Sequence, residues 1–406
     1  MSTSGTDRGL RAPLTRAQRE MCAAEQVLAP NAAFTAADAL PVEEHFPSRQ
    51  HDHGPLNDER PRITHSEAGE NMASIIGIGT CRPRQRTVEE LSDELGFSAA
   101  DARRFRRGAG FDRICVDPDR READLLLEAI EAVPGIDGLR ERVTWVVRAR
   151  TVRFGTPWPD RLIAEVCEQA GFGNARAFTV SDHACAGGMF ATELAVQLLT
   201  DDGDPDAVAI VLTGEKTYGL GSRVIPRIAL LGEATAAVAV SLGSGSHELL
   251  GYASRQVPIG GESLALDEVS APLFSQIYDG EVGRVIGRAL AEANADASEL
   301  QRYLPHNVGR IVSVRTGMSI GFEHEQIDHG TLAETGHCWS ADNFLNIEAA
   351  QRDGRLAPGD IVLLTAVGLG ATFAAMVCRY VGEDVPAADH AAAGEHAPVG
   401  EILEAA

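Results

Sequence analysis

The sequence predicts a mixed α/β fold with buried sheets, and three observations carry that prediction. Short apolar runs recur along the chain: "ASIIGIGT" (Ala73–Thr80), "VTWVVRA" (Val143–Ala149) and "AVAIVLTG" (Ala207–Gly214). They lack the polar alternation of a half-exposed strand and so read as strands covered on both faces. Segments with helical spacing stand between them, which is the order of a sheet layered with helices.

Taken in order, Ala73–Thr80 ends in glycines as a buried strand does, and Asp124–Val133 has helical spacing. Val143–Ala149 is a strand, Leu162–Ala170 a helix, and Ala175–Ser181 a strand that runs into "DHACAGG". Phe190–Leu199 is helical and Ala207–Gly214 a strand. The apolar runs Ala234–Leu242, Ile361–Gly368 and Thr372–Tyr380 complete the set. Residues 1–71 read as a separate, largely disordered N-terminal extension. Within it Ala17–Leu28 could form one short helix, and Phe46 to Asn71, rich in His, Pro and charge, reads as a linker. Met72 is a candidate start. The tail after Tyr380 carries six acids and no Lys or Arg, and residues 383–406 are expected to be disordered.

Composition narrows the function. The formal charge of −23 disfavours nucleic acid and anionic membranes as partners. No run approaches the ~20 apolar residues of a membrane span, and no secretory signal pattern opens the chain. Seven scattered cysteines without a C-x-x-C pair argue against a disulfide scaffold or zinc ribbon, so a cytoplasmic location and no metal site are expected. Lys216 is the only lysine; the remaining basic charge is arginine. Arg103, Arg104, Arg106, Arg107 and Arg113 fall within eleven residues. They are either a solvated helix face or a basic patch for an acidic partner.

Candidate chemistry centres on Cys185. A strand runs into "ACAGG" and then an amphipathic helix, which puts the thiol near a helix N-terminus, where thiolate is favoured. Gly187 and Gly188 leave room for a thioester arm. The alternative is a small, inert core cysteine. His306 lies in "RYLPHNVGRIV" at a Pro-His-Asn junction between elements. A third cluster, "ETGHCWSADNFLN", holds His337 and, five residues on, Asp342, which could equally cap a helix starting near Asn343. The run "VGLGATF" (Val367–Phe373) turns on glycines between two apolar strands and could present N–H donors to an oxyanion.

The order A-C-A-G-G, L-L-G-E-A-T-A-A, L-P-H-N, T-G-H, G-R-L-x-P-G-D and V-G-L-G-A-T-F resembles β-ketoacyl-(acyl carrier protein) synthase III and its relatives over about Met72 to Tyr380. That likeness implies the thiolase fold: two related five-layered α/β halves, expected at 72–242 with the nucleophile and 243–382 with the histidines. It implies Cys185 as nucleophile, His306 as the matching histidine, and an oxyanion hole from the N–H groups of Cys185 and of the Gly368–Gly370 turn. The expected reaction is loading of an acyl group from a coenzyme A or carrier-protein thioester. Decarboxylative condensation with a malonyl-type thioester would follow, in a homodimer needing no cofactor. An acidic carrier protein docking on the arginines at 103–113 is the expected partner.

Three departures open alternatives. His337 stands where the family usually has Asn, giving a Cys-His-His set; Gly309 replaces an Asn; and "RRGAGFDR" (Arg106–Arg113) is one residue out of step with the coenzyme A-contacting segment. Asp342 resembles the carboxylate of synthase III-like acyltransferases of natural-product pathways, which transfer acyl groups to oxygen or nitrogen without decarboxylation. A carboxylate beside His306 would suit that chemistry. The other rivals are a non-catalytic ketosynthase partner subunit, a hydroxymethylglutaryl-type synthase using Glu128 or Glu131, and a docking module. Pro13–Phe34 also resembles the opening of peptide-synthetase condensation domains, without their catalytic His motif.

Overall fold

The computed structural model describes residues 72–151, 161–217, 223–226, 228–259 and 266–382. The expected helix at 17–28, the linker and the acidic tail lie outside these residues. Nine strands form one sheet: β1 (Ala73–Cys81), β2 (Val143–Ala149), β3 (Arg176–Val180), β4 (Val208–Thr213), β5 (Thr235–Leu242), β6 (His247–Gln256), β7 (Leu300–Pro305), β8 (Ile361–Gly368) and β9 (Thr372–Tyr380). The main helices are α1 (Glu122–Glu131), α2 (Leu162–Gln169), α3 (Gly187–Asp202), α4 (Ser270–Glu292), α5 (Arg310–Ser319) and α6 (Asp342–Arg352).

The strand order is β7-β8-β9-β6-β1-β5-β4-β2-β3. Read outward from the β1–β6 seam, the two sides repeat one plan. An antiparallel neighbour comes first (β5 or β9), then another antiparallel strand (β4 or β8), then a parallel one (β2 or β7). The first side adds β3 parallel to β2. The second has only a parallel bridge, Tyr303↔Ile327, at the corresponding place. The repeat extends to detail: β1 and β6 each carry a register irregularity, at Ile75/Gly77 and Leu249/Gly251.

Every residue of β4 is buried, and β5, β8 and β9 are nearly so, which is why their sequences are apolar on both faces. Helices α3 and α6 fill the space between the two sides, α3 against β4, β5 and β2 and α6 against β1, β7 and β8, while α1 and α4 cover the outer faces. This is the thiolase fold, with the central helices starting at a common point. Cys185 precedes α3 in the turn Ala184–Ala186, and Asp342 opens α6.

Candidate active site

The chain turns sharply before Cys185. Asp182 and Ala184 adopt positive φ of 74° and 46°, and Trp339, two residues after His337, adopts 59°. Non-glycine residues in this region are held there by their surroundings, and such strain gathers at functional sites. Close approach does the rest. A Cβ on Gly188, in the first turn of α3, would fall 2.3 Å from the Ser340 carbonyl oxygen, so only glycine lets α3 reach the loop that carries His337.

That approach places Cys185 Sγ 3.1 Å from His337 Nε2. The other ring nitrogen, Nδ1, donates to Asp342 Oδ2. Asp342 is itself held: Oδ2 accepts from the Asn307 N–H at 2.7 Å and Oδ1 from the Cys338 N–H at 2.6 Å. The three side chains are 7%, 0% and 1% exposed. The result is a thiol–imidazole–carboxylate line, the arrangement that activates a nucleophile through a base oriented by a third group.

Electrostatics follow from the geometry. Burial opposes a charge on His337, but Asp342 and Cys185 outweigh it and hold the imidazole up at about 10. His306 behaves oppositely. Burial, and the neighbouring His337, push it down to about 4. The two rings meet edge to face with centroids 5.8 Å apart. His306 Nε2 accepts the Val367 N–H at 3.4 Å, and its buried Nδ1 has no hydrogen-bond partner among the described residues. Thus a charged imidazole and a neutral one stand side by side.

Asp342 was expected near His306, or as a helix cap. It caps nothing; it lies near His306, bonding the N–H of the next residue, but its side-chain partner is His337. It faces His337, and the groups it accepts from, Asn307 and Cys338, lie outside α6, which begins at Asp342 itself. The carboxylate therefore raises His337, the residue at the departure from the family pattern.

The glycine turn stands where the sequence placed it. A Cβ on Gly368 would lie 2.6 Å from Ala184 Cβ and 3.2 Å from the Cys185 nitrogen, so its absence keeps space beside that N–H. Gly370 is further round the turn, its carbonyl accepting from Ile259 N. Phe190 stacks on His183 with centroids 3.8 Å apart, whereas Trp339 and Phe344 belong to buried clusters. Glu128 and Glu131 are exposed on α1, paired with Arg120 and Arg140.

The arginines form a separate surface. Residues Arg104–Ala109 make a π-helical turn with Phe105 buried beneath. Arg104 pairs with Asp101, and Arg106 with Glu89 and Asp112. Arg103, Arg107 and Arg113 are exposed with no ion pair among the described residues. The segment packs against the start of α5: a Cβ on Gly110 would sit 3.4 Å from Arg310 Nε, and one on Gly309 3.7 Å from Ala109 Cβ. The patch thus borders the loop that follows His306.

Comparison with known proteins supports this fold. The family model "3-oxoacyl-(acyl-carrier-protein (ACP)) synthase III C terminal" matches residues 290–380. β-Ketoacyl-(acyl-carrier-protein) synthase III of Erythrobacter litoralis is 26% identical over 329 residues, 76% of this chain and 99% of that protein. The chain is therefore similar to the synthase III-like proteins, most clearly over residues 290–380, where their family model matches. Solved structures share the fold: the acyltransferase ChlB3 at TM-score 0.68 and 20% identity, covering 77% of this chain and 98% of that one. The 3-oxoacyl synthase III of Aquifex aeolicus follows at 0.64 and 17%, covering 76% and 100%. Within this synthase III-like chain, sequence reasoning found Cys185, both histidines and Asp342. It missed the buried amides Asn343 and Asn346 and the half-buried His183, all of which lie inside the motifs it quoted. No helix among the described residues is long and apolar enough to cross a membrane.

Proposed function

We propose that this chain is an acyltransferase that takes an acyl group from a coenzyme A or carrier-protein thioester onto Cys185 and passes it to a hydroxyl or amine. The observation that carries the reading is the Cys185–His337–Asp342 line with His337 positively charged. The thiolate attacks the thioester carbonyl, and the tetrahedral oxyanion takes hydrogen bonds from N–H groups near Cys185 and Gly368. Collapse expels the donor thiolate, which takes the proton of His337. His337, now neutral and oriented by Asp342, removes a proton from the acceptor as it attacks the acyl-enzyme, and Cys185 leaves. No cofactor enters these steps.

A second reading, decarboxylative condensation with a malonyl-type thioester, is favoured by one observation: His306 is neutral and faces His337. Two imidazoles can donate hydrogen bonds to an enolate oxygen. Against it, the Asp342 carboxylate adds negative charge next to a developing carbanion. Completeness of the triad speaks against a non-catalytic partner subunit, and the surface position of Glu128 and Glu131 against a hydroxymethylglutaryl-type mechanism. The arginines at 103, 107 and 113 suit an acidic carrier protein as donor, and the homodimer stays part of the proposal.

The test supplies carboxyl-labelled malonyl thioesters alongside simple acyl thioesters, with alcohol and amine acceptors. Ester or amide formation without label release supports the first reading. Release of labelled carbon dioxide coupled to a 3-oxoacyl product would replace it with the second.

A further inference from the structure

The loops that carry His306 and His337 are tied together by a buried amide. Asn346, on the first turns of α6, is fully buried and makes four hydrogen bonds. Its Oδ1 accepts from Thr331 N at 2.8 Å and Thr331 Oγ1 at 2.9 Å. Its Nδ2 donates to the Pro305 carbonyl at 2.8 Å and to Asn307 Oδ1 at 3.0 Å. Asn307 completes the bridge, donating from Nδ2 to Thr331 Oγ1 at 3.1 Å and to the Gly336 carbonyl at 3.3 Å. Pro305 and Asn307 flank His306; Gly336 precedes His337. The space is shaped for this amide, since a Cβ on Gly330 would fall 2.2 Å from Asn346 Oδ1.

His337 has further anchors: main-chain bonds with Leu230 and Gly232, and Asp342. His306 has fewer. Its N–H bonds Thr365, its carbonyl accepts only from nearby Val308, and its ring takes one long bond from Val367, with no side-chain partner. Loss of the Asn346 carboxamide would therefore loosen the 305–307 loop more than the His337 triad.

We propose that Asn346 is a positioning residue that acts through His306, fixing the 305–307 loop against the 330–337 loop so that the His306 ring stays aimed at the acyl carbon on Cys185. The inference rests on the proposed acyl transfer and adds to it a place for His306, whose ring meets that of His337 edge to face, beside the reacting thioester. A buried amide with all four bonds made allows one geometry, and a misplacement of about 1 Å costs on the order of 100-fold in rate.

The test is a double-variant cycle with Asn346→Leu and His306→Ala, reading acyl transfer and, separately, the pH profile of Cys185 alkylation by iodoacetamide. Asn346→Leu is expected to lower kcat about 10- to 100-fold with the alkylation profile unchanged. In the His306→Ala background the same change is expected to cost less than about threefold, because residues acting as a unit are not additive. Equal losses in both backgrounds, or a shifted alkylation profile, would overturn the proposal. Full activity of Asn346→Leu would do the same. If Asn346→Leu does not fold, Asn346→Ser, which is smaller and leaves room for a water, is read the same way. If His306→Ala itself keeps full activity, the proposal fails while the acyl transfer through Cys185 and His337 stands; failure of the native protein to acylate Cys185 would instead remove the functional reading.

Discussion

Replacing Asp342 with asparagine tests the electrostatic core of the site. The change keeps the shape and removes the charge. His337 is held up at about 10 by Asp342 and Cys185 against the opposing effect of burial. A carboxylate at hydrogen-bond distance raises an imidazole by roughly 1–3 units, each worth about 1.4 kcal/mol. Its removal should bring the pH at which His337 loses its charge down from about 10 by roughly 1–3 units, toward neutral. The sign is fixed: a base raised when folded stays charged up to its folded value, so losing the partner moves the fall to lower pH. Cys185 alkylation by iodoacetamide, followed from pH 5 to 10, should be slower in the variant, where the imidazolium facing the thiol is lost at lower pH. The variant should also be less stable by about 1–3 kcal/mol, because one amide oxygen cannot serve both the Asn307 and Cys338 N–H groups. An unchanged alkylation profile in a folded variant would refute the reasoning.

Other outcomes follow from the same contacts. Burial pushes His247 down to about 4, so stability from keeping it neutral is full above about 6.5 and is lost as pH falls toward 4. Thermal midpoints of the wild type should fall across that window by an amount worth about 3 kcal/mol per such group, and His247→Phe should flatten the slope. Reversing charge at Arg103, Arg107 and Arg113 together should raise KM for carrier-protein thioesters, most at low salt, and leave small thioesters untouched. Equal losses on both donors would remove the patch from carrier recognition.

How much of this was legible in the sequence depends on what each residue touches. The β8–β9 hairpin and β2 were read to the residue, because continuous apolar runs have only buried sheet to enter. Strand β6 escaped, since it alternates buried and half-exposed positions and includes Arg255 and Gln256. Helix α4 escaped too, as Pro272 and three glycines interrupt its spacing. Cys185 and the two histidines were legible because local motifs flag them. The partner of Asp342 was not: whether a carboxylate five residues after a histidine turns back to it depends on the conformation between, here through Trp339 at positive φ. Asn343 and Asn346 look like the polar face of a surface helix, yet both are buried and bond loops distant in sequence.

If the proposed chemistry is right, Cys185 carries the acyl group. Purified protein and its Cys185→Ala variant, incubated with acyl and malonyl thioesters of coenzyme A and of a carrier protein, are weighed intact by mass spectrometry. One acyl mass is expected on the native protein and none on the variant, with a malonyl group, where loaded, retained whole. No adduct from any donor, or an equal adduct on the variant, would contradict it.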